Sequence, residues 1–313
     1  MTDQIPYICL GHMPILDHLI LGMADLRRRQ ASAASGHLPL ELVAVNSWDQ
    51  MTQGLAEGRL DGACMPLPMA LELAASGLEI HIPMLTARGG GRLIFNQGAG
   101  ITQIKHLQGK SVLVTAEYSI SAMVIHQMIS ATGLGCGFPG SPGIDVTLEV
   151  VPPAMMADML AQDQDGDIGA LMAPDPVAQE ILAQPGAALA CTSSDLWPHH
   201  PGHALVVRKA AMDQAPDAWQ NLMADLTLGA AALDRASLEE RGEWAPEFLC
   251  RASRITHSAL AAARLEYNPD HLVAQPRELE LIQAYFTEHF GPLAAPLNTL
   301  VAPHPTGQTP SDI

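Results

Sequence analysis

The side chains able to do chemistry gather in two short stretches. His12, Asp17 and His18 stand near the start, and His199, His200 and His203 crowd a Pro-rich segment in the second half. Three neutral imidazoles and a carboxylate can hold a divalent metal, but this spacing matches no standard zinc motif. The same groups, His12 and His203 above all, can donate hydrogen bonds to a polar or anionic ligand, or simply sit solvated in a loop. If His203 supplies charge, its ordinary titration predicts an anion affinity that falls between about pH 6 and pH 8. The sequence has no Ser-His-Asp order, no Gly-Lys-Ser phosphate cradle and no Cys-x-x-Cys pair, so catalysis lacks a nucleophile or redox motif. The expectation is a binding site with no catalytic residue, no metal and no cofactor.

Other residues have two readings each. Trp48 at a strand-to-helix corner can floor a pocket and donate one hydrogen bond, or pack a core. Gly89, Gly90 and Gly91 can present backbone amides to an oxyanion, or form a plain hinge. Arg88 and Arg92 can pair with a carboxylate or sulfonate through their planar forks, or lie on the surface. Ser119 and Ser121 open a helix, where a hydroxyl either caps it or meets a ligand. Asp175, between two prolines, contacts a ligand or metal or caps a helix. Methionines such as Met65, Met69, Met155 and Met156 can line an adaptable cleft or fill the core.

The elements that position these residues repeat one grammar. In Gly58-Arg-Leu-Asp-Gly-Ala-Cys-Met-Pro-Leu-Pro-Met-Ala-Leu-Glu72 a short apolar strand stops at two prolines and restarts as a helix, and residues 166–180 repeat the pattern. In open α/β sheets small molecules sit outside the carboxyl ends of the strands, at helix N-termini. Two such corners predict two similar lobes with a ligand between them. Strands are expected over 5–11, 40–45, 60–65, 79–85, 111–115, 145–151, 168–173, 187–192 and 204–208. Helices are expected over 17–29, 48–57, 69–76, 119–132, 155–162, 219–235, 238–243, 255–264 and 276–290. Alternation at these lengths indicates parallel βαβ units. Lobe I is expected from residues 1–88 plus 200–295, lobe II from 89–199, and an unstructured tail from 296–313.

Composition narrows the function classes. The 313 residues can build two cores, with 48% hydrophobic and 4% aromatic content. A net charge of −17 opposes direct binding to nucleic acid or to an anionic membrane face. No apolar run is long enough to span a bilayer, so no membrane insertion is expected. Residues 1–12 have neither the basic region nor the apolar core of a secretory leader, which places the protein in the cytoplasm as the sequence stands and in the periplasm if a leader has been removed. Five cysteines at no ligand spacing fit reduced, buried thiols.

Six stretches together resemble a known family. They are Leu10-Gly-His-Met-Pro-Ile-Leu-Asp-His-Leu-Ile-Leu-Gly-Met-Ala24, Asn46-Ser-Trp48, Asp61-Gly-Ala-Cys-Met-Pro-Leu-Pro-Met69, Val150-Val-Pro-Pro-Ala-Met-Met-Ala-Asp-Met159, Asp175-Pro176 and Asp195-Leu-Trp-Pro-His-His-Pro201. In order and spacing they resemble the nitrate, bicarbonate and sulfonate solute-binding proteins of ABC importers. The resemblance implies an α/β, two-lobed periplasmic-binding-protein-like (type 2) fold, with parallel-rich sheets flanked by helices and a C-terminal helical extension. It implies a small-molecule ligand, an anion or a small organic molecule, in the interlobe cleft, and a permease as partner. Related cytoplasmic sensors hold a regulatory protein instead, and pyrimidine-precursor synthases share the fold, although their cysteine-rich signature is absent here. The departures concern the ligand: Leu16-Asp17 replaces a Thr-Asp pair, His203 a lysine, Cys64 and Ser121 two histidines, and Pro174-Asp-Pro-Val177 a Gly-Glu-Pro-Trp corner. The implied ligand-binding set is His12, Asp17, Trp48, Cys64, Gly90, Ser121, Asp175 and His203.

Overall fold

The computed structural model describes residues 7–30, 38–249 and 264–301. Among them the strands are β1 (Ile8–His12), β2 (Leu40–Ala44), β3 (Gly62–Pro66), β4 (Ile80–Arg88), β5 (Arg92–Asn96), β6 (Ser111–Val114), β7 (Cys136–Gly137), β8 (Val146–Val150), β9 (Ile168–Ala173), β10 (Ala187–Thr192) and β11 (Pro201–Arg208). They form two mixed sheets, ordered β2-β1-β3-β11-β4 and β10-β5-β9-β6-β8-β7. β1, β2 and β3 run parallel, while β11 lies antiparallel between β3 and β4. In the second sheet β9, β6, β8 and β7 run parallel, and β5 and β10 are antiparallel.

β1 and β3 are buried along their whole length, as parallel strands covered by helices on both faces must be. The helix Leu19–Gln30 covers one face and packs on Pro216–Arg235. Each fully buried Leu or Met in these layers contributes about 1.5–3 kcal/mol.

Two segments join the sheets. The outgoing one is Gly89–Gly91 between β4 and β5; the returning one runs from Ser193 to His200 between β10 and β11. They are bonded to each other, Gly89 N–H donating to His200 O and Ser193 N–H to Gly91 O, both at 3.0 Å. All three glycines have positive φ, +76°, +84° and +85°, a region that L side chains enter only at a cost.

The helix Pro276–His289 spans both lobes. Glu278 near its start accepts from Arg88 Nη1 at 2.6 Å on β4, and Tyr285 Oη donates to Met123 O at 3.3 Å and pairs with His126 Nδ1 at 2.8 Å in the second lobe.

The structure adds elements to the sequence reading. The Pro-rich return contains the short helix Ser193–Leu196, and β11 begins at Pro201 rather than at residue 204. β5 follows the glycines directly, β7 lies inside the Gly-rich loop after residue 133, and Lys209–Gln214 is helical. The tail beginning at 296 is corrected in its first part. Leu297–Leu300 forms a helical turn with Leu300 only 2% exposed, because Leu293, Ala295 and Leu300 bury apolar surface despite the prolines around them. The helix expected over 255–264 falls outside the described residues except for Arg264, as do residues 5, 6 and 302–313.

Candidate ligand site between the two sheets

The ends of β1, β3 and β6 point at the gap between the sheets, and the segment after each strand builds a wall. After β1 the chain makes a tight 3-10 turn, Leu16–His18, which carries Asp17. Tyr267 Oη props this turn from the C-terminal segment by donating to Leu16 O at 2.7 Å. After β2, Ser47 caps the helix Trp48–Ala56 by accepting from Gln50 N–H. After β3, Pro66 starts Leu67–Ala75; after β6, Ser119 starts Ile120–Ser130; after β8, Pro152 starts Pro153–Gln162. Four helices therefore begin at the gap, each presenting the positive end of its dipole.

Two bonds tie the walls together across the gap. Trp48 Nε1 donates to Thr115 O at 2.9 Å, and Leu16 N–H donates to Asp175 O at 3.0 Å. Trp48, 7% exposed, stands edge-on to His203 and His18 with centroids 5.7 and 6.3 Å away, and the two imidazoles are 4.9 Å apart. The cavity here measures about 30 Å³ and is lined by Asp17, Trp48, Gly90, Ser121, His200 and His203 among others. One water needs roughly 10–15 Å³, so the space admits a solute of a few heavy atoms.

The polar capacity of this wall is unmet. Asp17 Oδ2, His203 Nδ1 and His18 Nε2 are buried with no partner, and Asp17 Oδ1 lies 3.6 Å from His203 Nδ1, beyond hydrogen-bond length. The Ser121 hydroxyl also carries no hydrogen bond among the described residues. Burial pushes the Asp17 carboxyl up to about 7, helped by the charge of Asp175. Burial pulls His203 down to about 3 and His200 to about 4, and His18 falls well below its ordinary value. Burial thus favours the neutral form of these imidazoles, which argues against a charge on His203 and leaves its hydrogen-bonding role.

The expected set divides. Asp17, Trp48, Gly90, Ser121 and His203 all line the cavity. Trp48 spends its indole N–H on Thr115 rather than leaving it for a ligand. Asp175 does not line the cavity: its carboxylate, 2% exposed, accepts from Arg92 Nε at 2.8 Å. Burial raises Asp175 to about 6 against the pull of Arg92. Cys64 is fully buried inside β3 opposite Leu205, with burial raising its thiol pKa, so it is a core residue. His12 faces away as well. It stacks on Phe248 at 4.4 Å, bonds Met13 O through Nδ1 at 3.1 Å, and lines a separate cavity of about 290 Å³ with Leu19, Met23, Trp244 and Phe248.

The two arginines are structural. Arg88 bonds His271 O, His199 O, Val273 O and Glu278, tying β4 to the C-terminal segment. Ser119 spends its hydroxyl on the cap, accepting from Ala122 N–H at 3.1 Å and donating to Ala116 O at 2.8 Å. Of the methionines, Met65 and Met156 are core, and Met155 is 53% exposed. Among the described residues no group of three His, Cys, Asp or Glu is arranged to hold a metal ion, and no helix is long and apolar enough to cross a membrane. Thr115, Ile120 and Pro153 line the cavity and escaped the sequence reading. The signal that finds them is the residue just past each parallel strand, applied to β6 and β8 as it was to β3.

Known proteins resemble the chain in sequence and in fold. The chain is 28% identical over 223 residues to the bicarbonate transport ATP-binding protein CmpC of Synechocystis sp., covering 64% of this chain and 31% of that one. It is 25% identical over 253 residues to the nitrate/nitrite binding protein NrtA of Nostoc sp., covering 74% and 54%. The chain thus spans about a third to a half of the length of these curated relatives. The ligand binding component of an ABC-type import system from Staphylococcus aureus, solved with zinc bound, superposes with a TM-score of 0.79 at 19% identity over 95% of this chain and 96% of that one. The NMT1-like family model matches residues 5–245, a span holding both sheets and every residue named above as lining the cavity beneath Trp48, and the chain belongs to the NMT1-like family.

Proposed function

We propose that the chain is the solute-binding component of an ABC-type importer and holds one small oxyanion, reversibly and without turnover, in the cavity beneath Trp48. One observation carries this reading. A small cavity of about 30 Å³ is walled from both sheets and bordered by unpartnered buried polar atoms, which are costly to leave unpaired unless a ligand satisfies them. Four helix starts favour negative charge there. The relatives that bind bicarbonate or nitrate fit this size and chemistry, whereas taurine and alkylsulfonates exceed the space.

In this reading the sheet of β1–β4 and β11 forms one lobe, the sheet of β5–β10 the other, and Gly89–Gly91 with Ser193–His200 forms the hinge. A ligand touching both walls favours closure by its differential contacts. On the same reading the partner is a permease that docks the closed form, and the compartment it works in is the periplasm. No observation favours a regulatory partner.

The test is a thermal-shift series with nitrate, nitrite, bicarbonate, formate, taurine and alkylsulfonates, since a ligand that binds only the folded state raises its melting temperature. A rise with the small planar anions alone is expected. A rise with the larger sulfonates alone overturns the size argument, and no rise with any of them overturns the reading.

A further inference from the structure

The cavity attracts an anion through helix starts and yet has a carboxyl group in its wall. Asp17 is 5% exposed, its Oδ2 has no partner, and a Cβ added at Gly90 would lie 2.9 Å from its Oδ1, so the carboxyl sits directly against the glycine segment of the wall. Every neighbour able to balance its charge is committed or neutral. His18 and His203 are neutral imidazoles, and His200 behind them is bonded to Ser193 Oγ at 2.7 Å. Arg92 is engaged with Asp175 within the second sheet's wall, and Tyr267 donates to Leu16 O rather than to the carboxyl. Among the described residues no lysine or arginine lines the cavity. An ionised Asp17 about 4 Å from a bound anion would be repelled by roughly 4 kcal/mol.

Resting on the oxyanion reading, we propose that Asp17 couples binding to proton uptake: one proton from solvent is taken onto its carboxyl as the anion enters, and the resulting O–H at Oδ2 donates to the anion. The residue then serves as charge neutraliser and specificity determinant together. Burial already holds its pKa at about 7, so the proton is available near neutrality, while His203 and His200 stay neutral throughout the same range. Asp175, raised to about 6, contributes only on the acid side.

Nitrate and formate keep a constant charge from pH 6 to pH 9 and serve as probes. Calorimetric titration of the full chain in two cationic buffers of different ionisation enthalpy counts protons directly on the unaltered protein. Uptake close to one proton per anion at pH 8 is expected, with affinity falling about tenfold per pH unit above 7 and levelling below it. Asp17→Asn, which keeps a neutral donor in place, should bind with a flat pH profile and no uptake. Binding that is flat with pH and proton-free in the unaltered protein overturns the coupling and leaves the oxyanion site standing. Absence of binding by either anion at pH 6 overturns both.

Discussion

The cavity beside Phe248 measures about 290 Å³ and the one beneath Trp48 about 30 Å³, yet the chemistry favours the smaller. Around the larger cavity the polar groups are already paired: Arg29 with Asp25 at 2.9 Å and Glu247 at 2.8 Å, His12 with Met13 O. Around the smaller one, Asp17, His18 and His203 each leave a buried atom unmet. Volume measures room for packing to fail, whereas an unmet polar atom measures what a ligand must supply. The pair also separates stability from binding, because a change at Phe248 should move the first and a change at Trp48 the second.

The largest expected effect is on acid stability. Burial depresses His12, His18, His200 and His203, so the unfolded chain takes up protons near pH 6.5 that the fold refuses until about pH 4 or below. Stability from these four is present above 6.5 and lost as pH falls. Asp17 and Asp175, raised to about 7 and 6, act oppositely, holding protons in the fold that the unfolded chain has released. Asp25, Glu72 and Glu117 are raised as well and His126 is lowered, but the four deeply buried imidazoles carry the larger summed shift, so the melting temperature should drop between pH 6.5 and pH 4. A melting temperature that rises over that range would refute the neutral-histidine picture. His12 is the depressed imidazole of the larger cavity, and His12→Asn should soften the drop while leaving anion affinity unchanged.

Phe248→Ala comes next, with a loss of about 3 kcal/mol in unfolding free energy from the vacated volume and anion affinity within twofold of the parent. A large affinity loss there would erase the distinction between the two regions. Gly90→Ala should lower affinity together with stability. Its added Cβ would meet Leu265 and Asp17 at 2.8 and 2.9 Å at a φ of +84°, a strain of about 1–3 kcal/mol delivered to the cavity wall, so titration should show affinity reduced tenfold or more. The smallest effect is that of Trp48→Phe, which deletes the bond to Thr115 O and should weaken binding about fivefold, as a hydrogen bond of about 1 kcal/mol implies.

Much of this site was legible in the chain because it is built locally. Trp48 stands out at a strand-to-helix corner, Gly90 within three consecutive glycines and Ser121 at a helix start, each a signal confined to a few neighbouring residues. The misplacements share a cause. β3 is buried on both faces, so no alternation reveals which way Cys64 points. His12 sits at the end of β1, but its direction is set by Phe248, more than two hundred residues later. Asp175 is claimed by Arg92 across 83 positions, and nothing local marks the pair. The neutrality of His203 is equally non-local, since it comes from desolvation by elements packed around it.

The helix Pro276–His289 behaves mechanically as a leash. One end is pinned to β4 through Glu278 and Arg88, and the other to the second lobe through Tyr285 and His126; seven residues of helix put the pins about 10 Å apart along an axis that does not stretch. In the proposed closure the jaws would gape only by as much as the far pin allows, and gaping further would tear Tyr285 from its anchor. The latch strength at that distant tyrosine therefore helps set how often the empty protein stands shut, and so how much of the intrinsic grip on a solute is realised as affinity.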